Sequence, residues 1–456
     1  MDCVFLHVPK KVGPYLEILK MPLGLTALAH LLEQNGISTK IFHLTIEELL
    51  NRKFVLPKAR FYCLPLHWHP QSFRVIETAR AIKKNDPDCK IILGGFTASL
   101  FAGEIMSSFK EIDFIIKGDA EVPLLELIKM TAPLESIPNL VWREGEKVRE
   151  NEQSYTIDQQ LLDELEYSHL ELINNYDIYL RIYDYESAIE ETPVEKLKKG
   201  RSFFYYNAGR GCPVNCSFCG GSNLSQCLLN NRKQHLFKSI ESVVKDLTNL
   251  RNFGVDHLYT SFDPDPKGKY YLDLFEKIRA NKLAYNLYFE CWDLPTKAFI
   301  DSFASTFGSD SYLILSPDSG SEKVRRLNKG YFYTNRELMD VLDYIHQKKV
   351  KGELYFSVGF PFEEKGDIEE TLELLIAVKK KYGKHFKLSI MPIELDPGSP
   401  LWLDPGKYQV TTFRKNFKDL YLAHQKTPTL GYRTESFSDE EILRNYRMML
   451  NKLTAA

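Results

Sequence analysis

The stretch GRGCPVNCSFCGGS, Gly209 to Ser222, decides how this chain is read. Cys212, Cys216 and Cys219 stand at C-x3-C-x2-C spacing. Three thiolates on one loop can ligate three irons of a [4Fe-4S] cube. The fourth iron then lacks a protein ligand and is open to an exogenous molecule. Phe218, just before the last cysteine, is placed to shield such a cluster. A structural zinc loop is the plain alternative. Zinc, however, takes four ligands, or three and a water, at pair spacings. No second C-x2-C pair and no H-x3-H pair occurs elsewhere in the sequence.

Working outward, the loop follows a strand-like run, Phe203 to Tyr206. Further runs of strand length are His257 to Thr260, Tyr288 to Cys291, Tyr312 to Leu315, Leu354 to Val358 and Lys387 to Met391. Helical stripes separate most of them, the clearest being Ile240, Val243, Val244, Leu247 and Leu250. Six βα units in about 190 residues are too few for a closed eight-stranded barrel and predict an open, partial one.

Residues 1–138 alternate in the same way. Val4 to Val8, Ser38 to His43, Ala59 to Leu66, Lys90 to Leu93 and Ile112 to Lys117 are strand-like, with apolar helical faces between them. That alternation predicts a parallel sheet covered on both sides, with its ligand beyond the carboxyl ends of the strands. Residues 139–200 break the rhythm. Asn139 to Val148 predicts a hairpin around Glu144-Gly145, and a connector rich in Glu, Asp and Tyr follows. The expected fold is therefore α/β. An N-terminal doubly wound, Rossmann-like parallel sheet (1–138) leads through the hairpin and connector (139–200) to a partial (β/α)6 barrel (201–400). A mainly helical C-terminal tail (401–456) closes the chain.

The 456 residues carry 59 Lys+Arg against 61 Asp+Glu, a net charge of -2 that gives no global footprint for nucleic acid. No run reaches the ~18 apolar residues that span a bilayer. Met1 to Lys11 lacks the basic lead of a signal peptide. The expectation is a cytoplasmic protein that binds neither nucleic acid nor membrane. Its 8 cysteines are too few for a disulfide scaffold, and clustered thiols in a reducing compartment are ligands or catalysts.

With these pieces in order, residues 200–400 resemble the radical S-adenosylmethionine superfamily, whose signature is this cysteine loop on the first strand of a six-unit partial barrel. Gly220-Gly221 after the loop fits the family, where they contact S-adenosylmethionine. Asp318-Ser319-Gly320-Ser321, followed by Arg325, Arg326 and Asn328-Lys329-Gly330, resembles the fourth-strand motif that holds the ribose and methionine parts of that cosubstrate. Asp318 stands where Glu is usual. Gly359 to Glu363 resembles a G-x-P-G-E motif with Phe362 replacing the glycine, and Pro397 to Leu401 resembles a P-G-T-P-L ending. The resemblance implies that Asp318, Ser319 and Arg326 bind the cosubstrate, and that Asp263 at the second strand end touches its amine or the substrate. A Pro-stiffened turn explains Asp263 and Asp265 equally well.

The first domain resembles the cobalamin-binding class of the same superfamily. The matching fragments are Pro22 to Leu25, Ile91 to Gly95 and Gly118 to Glu121. That resemblance implies a cobalamin site built from Leu66, His67, Trp68, Gly94, Gly95, Gly118, Asp119 and Glu121. The D-x-H-x-x-G motif, whose His ligates cobalt from below, is absent, and His43 has neither flanking residue. A domain that binds nothing and only packs on the barrel is the bland reading.

Taken together, the resemblance implies an enzyme with a [4Fe-4S] cluster, S-adenosylmethionine and cobalamin that methylates an unactivated carbon of a small molecule or peptide. Its electrons would come from a flavodoxin or ferredoxin. Radical rearrangement or cyclisation, with cobalamin as accessory, is the runner-up, and an iron–sulfur redox sensor is the reading from another class. A methylthiotransferase would need a second cluster on Cys3, Cys63 and Cys89. Cys3 and Cys63 instead lie within apolar strand patterns, where a buried thiol acts as a small hydrophobe. Cys227 and Cys291 read as packing thiols first, with Cys291 a possible cavity contact.

Overall fold

A computed structural model of the chain describes residues 1–9, 19–185, 193–423 and 430–455. Lys10 and Lys11, at the end of the N-terminal stretch read above, and residues 186–192 of the connector lie outside them. In β1 (Cys3–His7) every residue is buried, as a central strand covered on both faces requires. It lies between β2 (Thr39–His43) and β3 (Phe61–Pro65), and β4 (Lys90–Gly94) and β5 (Phe114–Ile116) continue beyond β3. All five run parallel in the order β2-β1-β3-β4-β5. Side chains alternate between two core layers: Phe5, Cys63 and Ile92 face one, and Val4, Leu64 and Leu93 the other.

The predicted hairpin, β6 (Leu140–Glu144) and β7 (Lys147–Glu150), turns at Gly145 in a left-handed conformation (φ 59°). It pairs antiparallel with β5 and so completes a seven-stranded first sheet rather than standing apart from it.

The second sheet begins at β8 (Phe203–Tyr205). A short antiparallel ribbon, β9 (Gly209–Arg210) with β10 (Leu236–Phe237), then brackets the cysteine loop. The ribbon had no periodicity to announce it, because each strand has two residues. Next come β11 (His257–Thr260), β12 (Asn286–Cys291), β13 (Tyr312–Asp318), β14 (Lys351–Val358) and β15 (Phe386–Pro392). Each pairs in parallel with the one before it, giving a six-stranded open barrel wall in chain order from β8 to β15. Helices such as Ile240–Asn252, which buries Val243, Leu247 and Leu250, cover its outside. The tail mixes helices with an antiparallel ribbon, β16 (Val410–Thr412) and β17 (Tyr432–Thr434). Its last helix, Asp439–Ala455, packs on β14 and β15. No helix among the described residues is long and apolar enough to cross a membrane.

The motif residues at the strand ends hold strained backbone. β13 carries a register shift before Asp318, whose φ is 63°. Phe362 sits at φ 64°, a conformation that glycine adopts freely and a bulky residue does not. This explains why glycine is expected at that position. Beside it, Glu363 is 1% exposed and accepts a hydrogen bond from the Gly359 N–H at 2.7 Å. Burial pushes its carboxyl up from 4.5 to about 8.

The folded chain thus keeps this proton to higher pH than the unfolded chain does. Between those two values the folded state binds more protons, and stability falls as pH rises. Denaturant midpoints measured from about pH 5 to pH 8 should decline in the parent, and Glu363→Gln should flatten that decline.

Candidate functional site

The cysteine loop is latched from three directions. From the segment after β13, Asn328 accepts the Ser217 hydroxyl at 2.6 Å and its carbonyl accepts the Ser217 N–H at 2.8 Å. Gly330 donates its N–H to Cys216 Sγ at 3.2 Å. From the segment after β15, the Leu401 N–H reaches the Ser217 carbonyl at 2.9 Å, and the Gly398 carbonyl accepts the Ser225 hydroxyl at 2.7 Å. Asp396 accepts the Gly220 N–H at 3.3 Å. Within the loop, the Gly221 N–H points at Cys219 Sγ at 3.3 Å. The motif fragments after β13 and β15 therefore hold the loop itself in shape.

The three free thiols, all partly buried on one loop, are a donor set that fits three irons of a [4Fe-4S] cube. Burial pushes the Cys212 thiol up to about 11 and raises Cys216 and Cys219 as well. Bare, the loop would keep its protons at neutral pH, and a cation at the sulfurs would favour the thiolates. Lys329 opposes that rise at Cys216.

The sulfurs open onto a cavity of about 980 Å³ between the two sheets. Its other wall is the carboxyl edge of the first sheet. There Gly24 and Gly94 present bare backbone: a Cβ on Gly24 would meet nothing within 4 Å, and one on Gly94 only the Ile116 carbonyl at 3.7 Å. Gly95 is different. Its φ is 100°, and a Cβ there would sit 2.8 Å from the His67 Cα. His67 stacks on Phe96 (ring centroids 4.7 Å apart) and meets Trp68 edge-on. Burial lowers its imidazole to about 4, so the ring is neutral. A broad, mostly apolar wall of glycines and aromatic rings is what a flat macrocycle requires.

The deep end of the cavity lies in the barrel. Lys20 Nζ rests 4.2 Å from the Tyr183 ring centre and 4.4 Å from that of Tyr259. Tyr259 donates its hydroxyl hydrogen to Glu290, whose carboxyl burial raises to about 7. Cys291 and Tyr205 line the same region.

Of the residues expected at the site, His67, Trp68, Gly94, Gly95 and Gly118 line the cavity, as do Cys212, Cys216, Cys219, Gly220, Gly221 and Asp318. Asp119 and Glu121 reach its rim but are engaged across the domain boundary. Arg210 pairs with Asp119 at 3.0 Å and with Glu121 at 2.6 Å, and Arg232 pairs with Asp119 at 2.5 Å.

Four expected residues are elsewhere. Leu66 is fully buried beneath the wall. Asp263 is buried under Trp292, whose N–H it accepts at 3.0 Å. Ser319 is buried against Thr371. Arg326 is exposed and stacks on Phe332 at 3.8 Å, while its neighbour Arg325 is buried and donates to the Pro317, Ser319 and Tyr333 carbonyls. The cation that faces the cavity is Lys329, paired with Asp318 at 2.7 Å. Cys3 and Cys63 lie 3.5 Å apart in one core layer, and Cys89 is in the other, so these three thiols do not converge.

Residues 206–375 match the family model described as the radical SAM superfamily. Among curated proteins, the hopanoid C-3 methylase of Methylococcus capsulatus is 23% identical over 249 residues, covering 51% of this chain and 41% of that protein. The ribosomal protein uS12 methylthiotransferase RimO of a Hydrogenobaculum species is 27% identical over 198 residues, covering 41% of this chain and 46% of that one. The chain spans less than half the length of these relatives. Among solved structures, the radical S-adenosylmethionine methyltransferase TsrM from Kitasatospora setae superposes with a TM-score of 0.70 at 15% identity, covering 100% of this chain and 89% of that one. That structure holds cobalamin and a [4Fe-4S] cluster, and a second holds tryptophan and an S-adenosylmethionine analogue. At this identity the likeness shows the shared two-domain fold.

The two adjacent glycines make separable predictions. Gly95→Ala should cost about 2 kcal/mol, because it combines a left-handed backbone with a clash on His67. Gly94→Ala should leave stability nearly unchanged. Denaturant unfolding of both variants checks the difference.

Proposed function

We propose that this chain, whose barrel is a radical SAM domain, is a cobalamin-dependent radical S-adenosylmethionine methyltransferase acting on a carbon of a small-molecule substrate. The observation that carries the proposal is one continuous cavity. It is bounded on one side by the cysteine triplet and on the other by the bare Gly24 and Gly94 backbone beside His67 and Trp68. When bound, the cluster and S-adenosylmethionine supply one-electron radical chemistry and the cobalamin supplies a transferable methyl group.

The chain's own residues bind, orient and exclude. Cys212, Cys216 and Cys219 hold three irons, and the Gly330 and Gly221 N–H groups steady two of the sulfurs. Lys329 and Asp318, which line the cavity with the cysteine loop, would offer a cation and a carboxylate complementary to the carboxylate and ammonium of a methionine moiety. Gly220 and Gly221 let that moiety approach the loop. Arg210 and Arg232 keep the two walls together and water out. Substrate takes the deep end, against Tyr205, Tyr259, Glu290 and Cys291. An external donor of the flavodoxin or ferredoxin kind would supply the electrons. The likeness to a methylthiotransferase raises the question of a second cluster, and the separation of Cys89 from Cys3 and Cys63 argues against one here.

Two outcomes are expected from anaerobic protein reconstituted with iron and cobalamin. The triple Cys212→Ala/Cys216→Ala/Cys219→Ala variant should lose the cluster absorbance while keeping the corrin bands. Gly94→Val should do the reverse with stability intact, since its side chain projects into the corrin space. Parent protein that retains no cobalamin would overturn the reading.

In 5′-deoxyadenosine production from S-adenosylmethionine, Lys329→Met should fall at least about tenfold, one lost charged contact in a dry site. Arg326→Ala should stay near the parent rate. Equal rates for Lys329→Met and the parent would remove Lys329 from the cosubstrate site.

A further inference from the structure

Away from the cavity, three side chains from distant parts of the chain converge on one point. His30 comes from the helix Gly24–Gln34, and Glu166 and His169 from the connector just before a short turn, Leu170–Leu172. One ligand atom from each, an imidazole nitrogen or a carboxylate oxygen, lies within 4.8 Å of the other two. His169 Nε2 is 3.2 Å from Glu166 Oε2, and His30 Nε2 is 4.0 Å from Glu166 Oε1. All three are partly open to solvent, with side-chain exposures of 16%, 17% and 23%.

His169 is flanked by carboxylates at both ring nitrogens. Its Nδ1 is 2.8 Å from Glu171 Oε1 while its Nε2 faces Glu166. A neutral imidazole has one N–H and cannot donate to both carboxylates. If Nδ1–H serves Glu171, the Nε2 lone pair faces a carboxylate oxygen unless a cation lies between them. The His30 ring is stacked on His169 with centroids 3.4 Å apart and planes at 9°, which holds the two imidazoles side by side next to Glu166. The carboxylate–histidine pairing of Glu171 with His169 is also the outer-shell contact that metal-ligating histidines make.

We propose that His30, Glu166 and His169 form a binding site for a divalent transition-metal ion of the zinc class. The ligands are the two Nε2 atoms and a Glu166 oxygen, with water in the fourth position and Glu171 orienting His169. Two imidazoles, one carboxylate and a solvent-facing position are a common donor set for such an ion. Lys245, which pairs with Glu166 at 2.8 Å, is the group the ion displaces. The site ties the first-domain helix, whose start lines the cavity, to the connector and to the barrel helix that carries Lys245. An ion there braces the two domains through ligands other than the arginine pairs. The proposal is independent of the methyltransferase reading, because none of its residues lines the cavity.

The test is titration of cluster-reconstituted protein with Co²⁺, read in the visible d–d bands, and with Zn²⁺ by calorimetry. The parent should bind one equivalent of Co²⁺ with the spectrum of nitrogen and oxygen donors and without a thiolate charge-transfer band. His169→Ala and His30→Gln should each abolish it. Glu171→Gln should weaken it about ten- to a hundredfold, the usual cost of losing an outer-shell partner. Lys245→Ala should tighten it, and Zn²⁺ should raise the thermal midpoint of the parent but not of His169→Ala. A thiolate spectrum, no bound Co²⁺, or unchanged binding in His169→Ala would overturn the proposal.

Discussion

Two arginines of the barrel, Arg210 and Arg232, close on Asp119 and Glu121 of the first domain, and the rest of the site depends on that closure. Asp119 and Glu121 are almost fully buried, as is Arg232. Unpaired charges at such depth would cost several kcal/mol each. The two domains therefore cannot part without exposing these groups to water again, and cannot stay together without this register. The arrangement sets the distance between the cysteine loop and the glycine wall. Arg210 belongs to the ribbon that opens the cysteine loop, and Glu121 begins the helix after β5, so the clamp joins the two functional edges directly.

Much of this was legible in the chain. The strands of both sheets followed from apolar runs of the right length, and observed ends differ from expected ones by a few residues. The cysteine spacing pointed to the cluster because the loop is local, so its chemistry is written in consecutive residues. What did not follow is what depends on direction. Arg325 and Arg326 are neighbours on one helix, and neighbours on a helix point about 100° apart. A motif read along the chain could not say which arginine turns inward. The inward one is spent on backbone carbonyls, and Lys329 stands at the cavity instead. Asp119 and Glu121 were likewise placed at the right edge but without their arginine partners, which lie far along the chain, 91 and 113 residues beyond Asp119. The deep end of the cavity, Lys20 with Tyr259 and Glu290, is assembled from three unconnected segments and had no local sign.

Glycine and its substitutes mark where the backbone matters most. Gly94 and Gly95 looked equivalent as a pair at a strand end, yet one leaves open space for a ligand and the other permits a turn that nothing else could make beside His67. At Phe362 the logic reverses. The chain keeps the left-handed turn without the residue that makes it easy, and a half-buried aromatic ring stands where the motif expects none.

The latches on the cysteine loop also have a meaning in time. The loop is made early, but Asn328 lies 111 residues beyond Ser217, and Asp396 lies 176 residues beyond Gly220. A ribosome must therefore complete nearly the whole barrel before the loop acquires its final shape. Until then the three cysteines lack the contacts that latch their loop. A truncation between the cysteine loop and β15 would release a protein with all three cysteines and without the Asp396, Gly398 and Leu401 latches.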